Sequence, residues 1–265
     1  MRLGFAVKVL GAGGLPSHDQ RRWQSEPSLA VSLDHLEATL HYCDAHDIRM
    51  YRMPTGLAPY ASHPDLPQFR DAAFAYADRL AEVGALAGEL GIRISSHPGQ
   101  YTVLNSEDEC VRELAAVELE VQAELMDGMG LGPESVVVLH VAGGAGGARA
   151  ALDRFCAGFE LLSDAARGRL VIENDDRTFG LRDVLALGER VGRPVSGTSC
   201  TTTATTPTAS RTARPWSSRS AHGPRACCRR STTQRPRPRW RRSRRRSAAA
   251  SSAASSSPSC APTPT

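Results

Sequence analysis

The sequence predicts an α/β fold with a parallel sheet. Short apolar runs rich in β-branched residues alternate with longer segments whose apolar residues recur at helical spacing. The alternation repeats on the order of every 40 residues, which leaves room for a strand, a helix and two turns. It recurs five times before residue 195. Connections of that length join parallel strands, and five such units fit either a barrel or a doubly wound sheet.

Taken in order, RLGFAVKV is the first strand, and the Gly- and Pro-bearing stretch after it reads as loop. SLDHLEATLHYCDAHDI starts a helix at Ser32, a candidate N-cap, and repeats Leu33, Leu36, Leu40 and Cys43 on one face. IRMYRM is the second strand. FRDAAFAYADRLAEVGALAGELG reads as one long helix closed by Gly91, with the strand IRISSH behind it. Ser106 and Glu109 have the spacing of a capping box for the next helix, whose Leu114, Val117, Val121 and Leu125 form an apolar stripe. SVVVLHV is a buried strand. Leu152, Phe155, Phe159 and Leu162 mark the fourth helix, LVIEN the fifth strand and LRDVLALGERVG the fifth helix.

Composition divides the chain in two. Residues 1–192 hold 28 acidic and 17 basic residues, a formal charge of −11, whereas residues 193–265 hold 15 Arg, no Lys and no acidic residue. The overall charge of +4 is therefore a sum of opposites and says little about partners. Seven Cys without metal-ribbon spacing suit free thiols in a reducing compartment. The opening MRLGFAVKVLGAGG has too short an apolar stretch for a signal peptide, and no run reaches membrane-spanning length. A cytoplasmic protein is the expectation.

Three potential ligands sit at the ends of successive strands: His97 after the third, His140 after the fourth and Glu173 after the fifth. In a parallel barrel those ends share one rim, so side chains far apart in sequence converge there. Two imidazoles and a carboxylate suit a divalent transition metal such as Mn²⁺ or Zn²⁺, with positions left for water and substrate. Taken singly, each is as well explained by a solvated loop or a satisfied core polar group. Asp175 and Asp176 follow Glu173, either to orient a ligand or pair with Arg52 or Arg177, or to cap the next helix. In SHPGQYTVLNS, Pro98 and Gly99 turn the chain and present Gln100 and Tyr101 at the rim. An aromatic ring beside an amide suits insertion into a base stack; the plainer alternative packs Tyr101 under the following helix.

RLGF, YRMPTGLAPYASHP, RISSHPGQYTVLNS, VVLHVAGG and LVIENDD stand in the order and spacing of bacterial UV damage endonucleases, and the chain resembles that family over roughly residues 1–195. The resemblance implies a TIM (β/α)₈-type barrel, related to endonuclease IV and xylose isomerase, of which five to six βα units are present. It implies hydrolysis of the phosphodiester 5′ of cyclobutane pyrimidine dimers and (6-4) photoproducts in double-stranded DNA, using several Mn²⁺ ions. On it, His97, His140 and Glu173 are metal ligands, with Glu173 bridging two ions. His63 matches the histidine near the scissile phosphate, and Gln100 and Tyr101 match the pair that wedges into the duplex. The protein would act as a monomer. Phe5 and Val9 depart from the Tyr and Asn that the family often carries. Metal ligands at strand ends are shared with abasic-site endonucleases and sugar isomerases of the same superfamily; HPGQY favours the UV damage enzymes.

After Val195 the pattern ends, and residues 196–265, rich in Ser, Thr, Arg, Pro and Ala, are expected to form a low-complexity, disordered tail. Its Arg-rich part, residues 211–246, gives a non-catalytic alternative as a nucleic-acid binder. A frameshift near Ser196 accounts better for this composition. Every Thr codon begins AC, so a frame that borrows one base reads each Thr as His, Asn, Asp or Tyr. The shifted frame permits an Asp, two apolar residues and three His spanning Thr201, Thr202 and Thr203, where the family supplies further ligands. The chain as written is then expected to lack those ligands, to fold poorly or aggregate through unpaired strand edges, and to be impaired or inactive.

Overall fold

The computed structural model describes residues 3–11, 13–175 and 177–197. The expected tail lies outside these residues except for Ser196 and Gly197, and so does Asp176. Six strands, β1 (Gly4–Ala6), β2 (Met50–Met53), β3 (Arg93–Ser96), β4 (Val137–His140), β5 (Leu170–Glu173) and β6 (Val195–Ser196), form one parallel sheet in sequence order. A doubly wound sheet reverses its strand order at a switch point, whereas an unbroken order is that of consecutive barrel units. The fold is therefore parallel α/β of the barrel type. Among the described residues β1 and β6 each pair on one side only.

Helices α1 (Leu29–Ala45), α2 (Ala72–Ala75), α3 (Ala77–Glu89), α4 (Glu109–Gly128), α5 (Ala148–Phe159), α6 (Asp164–Arg169) and α7 (Leu181–Val191) fill the crossovers. The stripe Leu33, Leu36, Leu40 and Cys43 on α1 is fully buried, and burial pushes the Cys43 thiol up to about 11. Each such leucine contributes about 1.5–3 kcal/mol by leaving water. Strand side chains alternate between two sides. Phe5 and Tyr51 face outward, with Phe5 packed edge-on to Tyr42 of α1, and Ser96 reaches α4. Ser95, Val138 and Val171 occupy the other side, the one that carries His140 and Glu173.

Several local expectations shift. The first strand is shorter than RLGFAVKV because Val7 adopts φ +66, a left-handed conformation rare for a β-branched residue, which ends the ladder. Ser28, not Ser32, caps α1, accepting from Val31 N. Ser32 lies inside the helix and its Oγ accepts from Asp19 N at 3.0 Å, a tertiary bond that spacing does not reveal. The long helix after Phe69 is broken at Tyr76 (φ −116, ψ 31) into α2 and α3, and it closes at Gly91 with φ +64 as expected. No capping box forms at Ser106: Asp108 caps α4 by accepting from Cys110 N, and Ser106 Oγ accepts from Asp108 N. The buried face of α4 runs through Ala115, Leu119, Gln122 and Met126, so Leu114 and Val117 are only half-buried. Small residues let that face approach its neighbours closely, which a count of large apolar side chains overlooks.

Candidate metal centre

Parallel pairing sets His140 beside Glu173 in register, at the last residues of β4 and β5. His97 leaves β3 one residue past Ser96, on the same side of the sheet as Ser95. The three side chains converge: Nε2 of His97 lies 3.1 Å, and Nε2 of His140 3.4 Å, from Oε2 of Glu173. The two rings are 4.8 Å apart, and all three potential ligand atoms fall within 4.8 Å of one another. Glu173 is almost fully buried, while His140 is the most open of the three.

Backbone carbonyls decide the tautomers. Nδ1 of His97 lies 3.1 Å from Pro98 O, and Nδ1 of His140 lies 3.0 Å from Asn174 O. A carbonyl only accepts, so each Nδ1 carries the proton. In the neutral rings both Nε2 lone pairs then point at a carboxylate oxygen that is itself an acceptor. Three convergent acceptors repel unless a proton or a cation lies between them. A divalent cation fits this donor set, and the carbonyl on each Nδ1 is the outer contact that commonly orients a ligating histidine.

The other expected site residues lie apart from this trio. His63 is exposed in the loop after β2; its Nδ1 accepts from Asp65 N at 3.2 Å, and its ring stands edge-on to Tyr60. Gln100 and Tyr101 occupy the turn after β3, closed by Thr102 N donating to Gly99 O. Tyr101 is 85% exposed, so it does not pack under the following helix. Asp175 caps the turn rather than α7: its Oδ1 accepts from the backbone N–H groups of Arg177, Thr178 and Phe179. Helix α7 begins instead at Gly180, whose N–H donates to Asp183. Arg52 makes no ion pair among the described residues.

One residue escaped the sequence reading. Gln122 is fully buried on α4: its Oε1 accepts from Ser96 Oγ at 2.7 Å, and its Nε2 donates to Thr55 O and Glu118 Oε1. The available signal was a glutamine in the middle of the stripe Ala115, Leu119 and Met126.

A family profile described as UV-endonuclease UvdE matches residues 20–196. The chain is similar to the UV DNA damage endonuclease of Bacillus velezensis, 31% identical over 156 residues, covering 59% of this chain and 48% of that protein. It is also similar to the UV DNA damage endonuclease of Clostridium perfringens, 32% identical over 166 residues, covering 62% of this chain and 39% of the other. The chain thus spans about half the length, or less, of these curated relatives. Among solved structures, that of SacUVDE superposes with a TM-score of 0.68 and 31% identity, covering 77% of this chain and 71% of that one. Among the described residues no helix is long and apolar enough to cross a membrane.

Proposed function

The chain belongs to the UV-endonuclease UvdE family, and from that premise we propose that its site is built to incise UV-damaged double-stranded DNA 5′ of cyclobutane pyrimidine dimers and (6-4) photoproducts, in the cytoplasm and with Mn²⁺. The observation that carries this reading is the convergence of Nε2 of His97, Nε2 of His140 and Oε2 of Glu173 at the strand ends. These three side chains would hold the cation, with Glu173 suited to bridge two ions because a carboxylate has two oxygens. When bound, such ions lower the pKa of a water and neutralise charge growing on the phosphate and the leaving oxygen.

The chain's own residues supply the rest. Nδ1 of His63 is occupied as an acceptor, so its neutral ring carries the proton on Nε2 and donates it to a phosphate oxygen. Tyr101, almost wholly in solvent, offers an aromatic face to a base whose stacking partner is displaced, and Gln100 offers an amide to base edges. Among the described residues His97, His140 and Glu173 are the one cluster that could hold a metal ion, and residues 198–265 contain a single His, His222, and no acidic side chain. The chain is therefore expected to hold metal weakly and to work slowly.

Supercoiled plasmid, with and without UV irradiation, tests the assignment. The expected result is slow nicking of the irradiated plasmid alone, dependent on Mn²⁺, abolished by a chelator and by Glu173→Gln. Equal nicking of both plasmids overturns lesion recognition. Preference for a depurinated plasmid over an irradiated one moves the assignment to an abasic-site endonuclease.

A further inference from the structure

Gln122 makes contacts that a core residue has no need of. Its side chain lies wholly inside the protein, where an unpaired amide is costly and an apolar residue of similar shape avoids that cost. Yet both ends of the amide are used, and both lead to the strand ends that carry chemistry. Oε1 accepts from Ser96 Oγ, the residue before His97. Nε2 donates to the carbonyl of Thr55, whose own hydroxyl donates to His97 O at 3.3 Å. The backbone of His97 is thus bracketed, one arm through Ser96 and the other through Thr55. The second acceptor of Nε2 is Glu118, one helical turn earlier at 3.1 Å.

We propose that Gln122 is a positioning residue of the metal centre, which holds the strand end of His97 through Ser96 and through Thr55. The inference rests on the metal-dependent reading of the site above. Gln122 touches neither cation nor substrate; it sets where the His97 ring stands at the rim. Such outer contacts typically change metal affinity by about 10–100-fold when removed.

The test uses the full chain with ¹⁵N-labelled histidine. Its eight histidines make the ring signals few enough to assign by single substitutions. Gln122→Met keeps the volume and removes both hydrogen-bonding ends. The metal-free spectrum is expected to show the ring signal of His97 displaced in Gln122→Met, with that of His140 unmoved. Mn²⁺ is then titrated into the same samples, and the concentration that broadens His97 and His140 is expected to rise about tenfold in Gln122→Met. Superimposable His97 signals in Gln122→Met and parent overturn the positioning role. So do shifts spread equally over His97, His140 and the remote His41 and His46 of and beside α1, which indicate general loosening. Absence of Mn²⁺ broadening in the parent defeats the metal reading alone; the positioning role then stands or falls on the metal-free shifts.

Discussion

Glu173 places Oε2 3.1 Å from Nε2 of His97, although 76 residues separate them in the chain. Parallel strand order produces that meeting, since each strand end is delivered to the same rim after its helix has crossed back. When the ring is neutral, Nε2 of His97 and Oε2 of Glu173 face each other as acceptors, because the Nδ1 proton of His97 is committed to a carbonyl. Glu173→Gln should relieve this in the metal-free chain, where the amide can donate to an imidazole nitrogen, and should remove the charge that a cation needs. Thermal unfolding with and without Mn²⁺ checks it. At about 100 times Kd a ligand stabilises the native state by about 2.7 kcal/mol. With three protein ligands the parent is expected to gain only at high metal concentration, and Glu173→Gln not at all.

Asp19 gives a pH dependence with a definite sign. Its carboxylate accepts from Arg21 Nε and Nη2, and from the backbone of Arg21 and Ser28. The guanidinium of Arg21 above all holds the carboxyl well below the usual carboxylate range. A carboxyl whose pKa is depressed by folding adds stability above its unfolded value, near 3.8 here, and loses it as the pH falls below that value. Asp19→Asn should cost about 1.5–3 kcal/mol at neutral pH, in line with hydrogen bonds to charged groups. Urea unfolding at about pH 7 and about pH 3 should show that difference shrinking in acid.

Glu118 behaves in the opposite sense. Burial disfavours its charged form and raises its pKa above 4.5, with the bonds to Ser62 and Gln122 opposing part of that rise. In the window between the unfolded and the folded value, the native state binds more proton than the unfolded one, so stability falls as the pH rises through it. Glu118→Gln should flatten this part of the stability profile. Denaturant midpoints measured at intervals from about pH 4 upward will show it, the parent declining where the variant stays level.

Much of this was legible in the sequence because it depends on periodicity. The β-branched runs before His140 and Glu173 define buried strands, and a polar residue at the end of such a run is placed at the rim by strand direction alone. The stripe from Leu33 to Cys43 was readable for the same reason. Helix starts were not, because several Ser and Asp residues near each start compete for the cap. The choice of Ser28 over Ser32 turns on Asp19, whose N–H takes the Ser32 hydroxyl from 13 residues away. Gln122 was missed because its partners lie on β3 and in the loop after β2, and spacing along α4 carries no trace of them. Whether the sheet is a barrel or doubly wound was also undecided by the alternation; strand order settled it.

Tyr101 separates recognition from stability. It is 85% exposed and sits in a turn, so replacing it removes little buried surface. Tyr101→Ala should alter unfolding free energy by no more than about 0.5 kcal/mol. Stacking on a base is worth about 1–3 kcal/mol, so affinity for an irradiated duplex should fall by about 5- to 150-fold. Fluorescence anisotropy with a duplex bearing one photoproduct measures the loss, and an undamaged duplex serves as control. An equal loss on both duplexes would make Tyr101 a general DNA contact instead of a probe of the lesion.

The sheet edges carry the last prediction. β1 and β6 are each bonded on one side among the described residues, and the inward positions Gly4 and Ala6 of β1 are exposed. An open strand presents unpaired N–H and C=O groups that template pairing with another chain. The chain should therefore associate as its concentration rises, and the associated species should gain strand signal in the infrared amide I band. Ala6→Lys places a charge on the exposed edge of β1 without touching the outward residues Phe5 and Tyr51, and it should shift the onset of association to higher concentration. Light scattering over a dilution series distinguishes this from association through the basic residues 211–246, which rising salt would alter while leaving edge pairing in place.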